Sequence, residues 1–155
     1  MGRPAVLAVL VFACVASGAV PAHARARAQT PDADTITRAV MNEAEGENYQ
    51  SKLAHAFLFL NRARRGMALG SSGLDSPKVR ARLARANAGA WRDARRAVEC
   101  ARDRCVPDPT NGALYCENVK KFGVPAYIWR GMRAGRVREC GRAGDVVFWK
   151  ETERK

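Results

Sequence analysis

The chain has 155 residues, with 27 lysines and arginines against 15 acids and a net charge of +12. This length allows one domain with a core large enough to fold alone. The charge favours an anionic partner; a cell wall, an anionic lipid and a nucleic acid all satisfy it, and charge alone selects none of them. Residues 1–24 read as a secretory signal: Arg3 supplies the positive start, Ala5 to Ala16 the apolar run, and Ala22-His23-Ala24 the small-x-small cleavage site. The run is shorter than the ~20 residues of a membrane span. An uncleaved anchor is one alternative; a lipoprotein is another, disfavoured by Phe12 ahead of Ala13-Cys14. Arg3 is the sole Lys, Arg, Asp or Glu in residues 1–24, so a chain cut there carries +11.

Residues 25–31 form a basic, alanine-rich leader without periodicity, and 32–152 form the expected domain. Asp32 and Asp34 supply cap and first-turn acids for a helix over about 34–45, with Ile36, Val40 and Ala44 at four-residue spacing. Gly46 is a plausible end for it. Glu43 then falls in the last turn, where the helix dipole and neighbouring acids work against a negative charge and tend to raise a glutamate's pKa. A second helix over about 50–65 carries Leu53, Ala54, Phe57, Leu60 and Ala63 on one face and Ala56, Leu58 and Phe59 elsewhere, so it reads as the central core helix. Gly66 to Asp75 reads as a flexible loop bordering a groove.

Ser76-Pro77 starts a helical pattern that runs to about Arg104, with a break near Asn87-Ala88-Gly89. Lys78, Arg82, Arg85, Arg92 and Arg96 form its basic outer stripe, either a solvated face or a contact for an anionic polymer. Val106 to Gly112 is dense in turn formers and must be a shaped loop. Ala113 to Cys116 leaves it as an extended piece, Tyr127-Ile128-Trp129 is too short to classify, and Val137–Cys140 with Val146–Lys150 predicts a hairpin around Gly141–Asp145. The fold class is α+β, mainly helical, with a short C-terminal hairpin.

Beyond Cys14, four cysteines remain: Cys100, Cys105, Cys116 and Cys140. An even number in an exported chain predicts two disulfides, with three pairings open and buried free thiols as the alternative. A zinc site is disfavoured, since His55 is the single histidine after residue 24 and no paired C-x-x-C spacing occurs. No metal or cofactor is expected.

Five stretches in order resemble the SleB-type cell-wall hydrolases, the family of the spore-cortex-lytic enzymes. Glu43-Ala44-Glu45-Gly46-Glu47 looks like its E-A-x-G-E signature, and Leu60-Asn61-Arg62 like the end of its core helix. Trp91, Ala94 and Ala97 resemble the helix before its central loop. Asp108-Pro109-Thr110-Asn111-Gly112-Ala113 looks like its D-P-T-x-G-A loop, and Gly144 to Phe148 like its closing strand. The resemblance spans roughly 36–150. It implies a small lysozyme-like domain that cleaves the glycan strands of peptidoglycan, with Glu43 as catalytic acid and the D-P-T loop shaping the sugar cleft. The chain departs from the family at Glu45, where arginine is common, at Cys116, where an aromatic is usual, and at Val146, where histidine is frequent. A disulfide at Cys116 is expected to replace the aromatic's packing.

Cleaving the β-1,4 bond after N-acetylmuramic acid needs an acid for the bridging oxygen and a trap for the oxocarbenium-like centre. One glutamate suffices in a lytic transglycosylase, where the sugar's own C6 hydroxyl closes a 1,6-anhydro ring. Glu47 in the cleft would admit water and hydrolysis instead. Asn61, Asp108, Thr110, Asn111, Tyr115 and Trp129 are the expected substrate-binding residues, with Tyr127 a further stacking candidate. The expected protein is an exported, periplasmic or extracellular monomer acting on peptidoglycan, without a nucleic-acid partner or a stable span after signal removal. An amidase and a non-catalytic wall-binding protein are the rivals.

Overall fold

The computed structural model describes residues 31–71 and 73–153. The expected signal, and all of the leader except Pro31, lie outside the described residues. Among the described residues no helix is long and apolar enough to cross a membrane.

The first helix, α1 (Ala33–Ala44), starts where Asp32 accepts the Thr35 N–H at 2.7 Å, and it buries Ile36, Ala39, Val40, Met41 and Ala44. It stops at a turn closed by the Glu47 N–H on the Ala44 carbonyl. Asn48 then caps α2 (Tyr49–Arg64) by accepting from the Ser51 N–H at 2.9 Å. Every residue from Ser51 to Leu60 is buried, so α2 is the central helix, enclosed by α1, by α4 and by one face of the sheet.

The long helical pattern divides into α3 (Pro77–Ala84) and α4 (Ala88–Asp103) at the expected break, because the Asn87 side chain accepts from the Gly89 N–H and caps α4. The other end of α4 turns through a left-handed Arg104 (φ 54°), with the Cys105 N–H on the Cys100 carbonyl. A disulfide between Cys100 and Cys105 spans the same turn, with a Cα–Cα separation of 5.0 Å.

Three antiparallel strands follow in the order β1-β3-β2: β1 (Tyr115–Asn118), β2 (Val137–Ala143) and β3 (Val146–Glu151). The hairpin is longer than expected. Its turn shrinks to Gly144-Asp145, and the extra length of β2 is accommodated by a bulge between Glu139 and Gly141. Strand alternation gives β3 two buried faces: Val146 and Phe148 join the helices, while Val147 and Trp149 pack on Ile128. Ile128 belongs to α6 (Ala126–Arg133), which the unclassified Tyr127-Ile128-Trp129 stretch forms after the single turn α5 (Val119–Phe122).

The expectation of two disulfides is corrected. Cys116 and Cys140 are free thiols. Cys116 on β1 is paired with Phe148 on β3, and Cys140 lies on β2 at the bulge, so β3 stands between them. Two strand spacings amount to roughly 9–10 Å, beyond the ~7 Å Cα limit of a disulfide. Nor does a disulfide replace an aromatic at Cys116; the thiol itself packs against the core. Burial pushes the Cys116 thiol up to about 12 and that of Cys140 up to about 11.

The D-P-T stretch is a knot of hydrogen bonds around one carboxylate. Asp108 accepts from the Thr110 N–H at 2.8 Å, the Thr110 hydroxyl at 2.6 Å, the Gly112 N–H at 2.9 Å and the Asn61 amide at 2.8 Å. Burial disfavours the charged carboxyl, but these bonds outweigh it and hold Asp108 below 3.8. The loop packs tightly on the bulged strand: a Cβ on Gly141 would meet the Pro109 carbonyl at 3.0 Å.

Replacing Asp108 by Ala should cost about 2 kcal/mol, since several donors lose a charged acceptor. A depressed folded pKa gives stability that is complete above the unfolded value and lost as pH falls through the folded one. Urea melts from pH 6 to pH 2 should therefore show the native chain converging on Asp108→Asn below about pH 3.8. Thiol titration of the denatured, unreduced protein should find Cys116 and Cys140 reactive, in addition to Cys14 where it is retained. In the native fold both should react slowly at neutral pH, because little thiolate exists there.

Candidate active-site cleft

Between the end of α1, the middle of α2, the 66–75 loop and β1 lies a cleft of about 330 Å³. Among the described residues its carboxylates are Glu43, Glu47 and Glu117, and its one Lys or Arg is Arg62. Tyr115, Phe122 and Tyr127 supply aromatic walls, and the Phe122 and Tyr127 side chains are largely open to solvent. An acidic cleft with aromatic walls stands out on a protein of net charge +12.

Glu43 is held by two donors. Its Oε1 accepts from the Ser71 hydroxyl at 2.8 Å and from the Asn42 amide at 3.0 Å, and Asn42 also donates to the Ser71 oxygen at 2.9 Å. Arg82 of α3 donates to the Asn42 side-chain oxygen and pairs with Glu45 at 3.6 Å. Both donors to Glu43 use the same oxygen, and Oε2 has no hydrogen bond among the described residues. A carboxyl in this arrangement has one oxygen anchored and one available for proton transfer.

The loop that carries Ser71 is fastened by Arg62. The guanidinium donates to the Ala68 carbonyl at 2.7 Å and to the Leu114 carbonyl at 2.9 Å, tying α2 to the loop and to the approach of β1. Gly70 lies flat on that guanidinium with φ at +85°; a Cβ there would stand 2.8 Å from its central carbon. Only glycine meets both conditions without strain.

Glu47 lies outside α1, as Gly46 suggested, yet the turn brings it back to the cleft that Glu43 lines. Lys52 holds this turn: its ammonium, on an almost wholly buried side chain, donates to the Glu47 carbonyl. Burial lowers the Lys52 pKa, while Asp93, Glu47 and Glu45 oppose the shift.

His55 was absent from the expected site and is its least expected member. It projects from the central helix to the cleft, edge-on to Phe148 at 5.6 Å, with Nδ1 at 2.8 Å from the Ser51 carbonyl. That contact requires Nδ1 to carry the proton when the ring is neutral. Burial lowers its pKa against the opposing pull of the Ser51 carbonyl, Glu43 and Glu47. Val146 lines the same cleft, so its one imidazole comes from α2 and not from β3.

Of the expected binding residues, Tyr115 lines the cleft, and its hydroxyl donates at 3.1 Å to Glu151, which lies outside the cleft lining. Tyr127 stacks edge-on to it at 6.1 Å. Asn61 and Thr110 both bond to Asp108 near the C-terminal end of α2, and Asn111 donates to the Cys140 carbonyl. None of these four lines the Glu43 cleft, and neither does Trp129, which is exposed on α6. Ser71, Arg62, Glu117 and Phe122 were missed together with His55. A serine in a glycine-rich loop and a glutamate on a short strand have no local pattern that marks them. Compared with models of protein families, with curated proteins and with solved structures, the chain matches none.

A histidine whose folded pKa is lowered binds its proton more readily in the unfolded chain, so stability falls as pH drops below 6.5. The loss cannot exceed about 1.4 kcal/mol per pH unit for one proton. Denaturant melts between pH 8 and 5 should show this slope in the native chain and its removal in His55→Gln.

Proposed function

We propose that the protein is an exported enzyme that cleaves the β-1,4 bond between N-acetylmuramic acid and N-acetylglucosamine in peptidoglycan, with Glu43 as the proton donor. The observation that carries this reading is the Glu43 carboxyl itself, anchored through Oε1 by Ser71 and Asn42 and lining an aromatic-walled cleft. The resemblance of its surroundings to the SleB-type signature supports the choice of substrate, and the high positive charge suits an anionic polymer without selecting among such polymers.

In this reading protonated Glu43 gives its proton to the bridging oxygen as the C1–O bond breaks, and the N-acetylglucosamine side leaves as an alcohol. The resulting Glu43 carboxylate stands beside the cationic C1. In a lytic transglycosylase it then takes the proton of the muramic acid C6 hydroxyl, and O6 closes on C1. No water is consumed. Tyr115, Phe122 and Tyr127 offer flat apolar faces to the pyranose rings.

A second outcome of the same site is hydrolysis. The observation that favours it is Glu47, which lines the cleft with Glu43 and would position a water for attack on C1. The two outcomes share the proton donor and differ in the product by one water.

Digestion of purified peptidoglycan, with products weighed by mass spectrometry, tests both. The native protein should release muropeptides with 1,6-anhydro ends, and Glu43→Gln should lower the rate by more than about a hundredfold. Reducing ends would assign hydrolysis and a water-positioning role to Glu47. Tight binding to the wall with no release by the native protein would leave a non-catalytic wall-binding protein.

A further inference from the structure

A wide, open depression of about 580 Å³ lies away from the Glu43 cleft, where α3 and α4 meet α1. Its floor is apolar, built from Leu83, short alanine side chains and the ring of Trp91. The Trp91 indole N–H donates to the Leu83 carbonyl at 3.2 Å, which fixes the ring as part of the floor. Its rim is Arg38, Arg80, Arg92 and Arg95, and among the described residues no acid lines it. Arg95 stands over the Trp91 ring at 5.8 Å. Arg38 bonds to the Leu74 carbonyl and to Asp75. Arg80, Arg92 and Arg95 make neither a side-chain hydrogen bond nor an ion pair among the described residues.

We propose that this depression binds the headgroup region of an anionic phospholipid. Three guanidiniums without partners around one hollow favour a phosphate, which matches their forked donors. The floor argues against a free inorganic anion, since Trp91 and Leu83 offer it nothing. It suits a phosphate joined to an apolar body, and an acidic lipid is such a molecule. The chain as a whole carries +12, so an extended negative surface attracts the molecule as well as the hollow, each cation near the surface adding its own share within a Debye length. The contact is peripheral and independent of the cleavage proposed above.

The test is co-sedimentation of the full chain with vesicles of phosphatidylglycerol, beside phosphatidylcholine vesicles to subtract any contribution of apolar residues 5–16. The triple variant Arg80→Gln, Arg92→Gln, Arg95→Gln should weaken phosphatidylglycerol binding by more than about tenfold. Its melting temperature should stay near that of the native chain, because these side chains are exposed and make no ion pair. A control triple, Arg130→Gln, Arg133→Gln, Arg138→Gln, removes the same charge from α6 and β2, which pack on each other and line no part of the depression. It should weaken binding by less than about twofold, because these charges lie outside the hollow. Equal losses in the two triples would overturn the site in favour of a net-charge effect. Failure to bind phosphatidylglycerol above the phosphatidylcholine background would overturn it outright. Displacement by inorganic phosphate at the concentration of lipid phosphate would reassign the hollow to a free anion and overturn the lipid.

Discussion

A helix buried on every side has no solvent to satisfy its polar groups, and α2 is such a helix from Ser51 to Leu60. Burying Phe57, Leu58, Phe59 and Leu60 contributes about 1.5–3 kcal/mol each relative to exposure, and this apolar gain draws Ser51, Lys52 and His55 inside with them. Each buried polar group then needs a partner. Lys52 finds the Glu47 carbonyl and His55 the Ser51 carbonyl, while the Ser51 hydroxyl is left without one among the described residues. The first of these bonds is what holds the acidic turn after α1 against the core. The position of Glu43 and Glu47 is thus a consequence of how α2 disposes of its buried charge.

The same helix organises its other end with polar groups that are only partly covered. Asn61 contributes one of the bonds around Asp108, and Arg62 spans from the 66–75 loop to the approach of β1. The loop in turn presents Ser71 to Glu43. A chain of single hydrogen bonds therefore connects the core helix to the proposed proton donor through a segment rich in glycine. Such a segment is held in one conformation by its contacts, because its backbone alone prefers none.

Charge is divided as sharply as packing. The chain is strongly basic, yet three carboxylates meet at the cleft with Arg62 as their one cation. The depression on α3 and α4 has the opposite balance, four arginines and no acid among the described residues. Net charge draws an anionic polymer or surface toward the whole molecule; local charge sets what each concavity accepts once contact is made.

The helical elements were legible in the sequence because their signals are local. Apolar residues at four-residue spacing predicted α1, the apolar circumference of α2 marked it as central, and Ser76-Pro77 and Asn87 placed the starts of α3 and α4. The hairpin was legible for the same reason, and so was Glu43 as a residue beside a cleft. What tertiary structure alone decided depends on residues far apart in the chain. The insertion of β3 between β1 and β2 keeps Cys116 from Cys140, and strand order is not written in either cysteine's surroundings. Asp108, Thr110 and Asn61 look like ligands for a sugar in sequence, but folding turns their hydrogen bonds on one another. His55 reads as one more residue of a core helix. Only the approach of β1 and β3 to that helix opens a cleft at its ring, and only burial between them lowers its affinity for a proton.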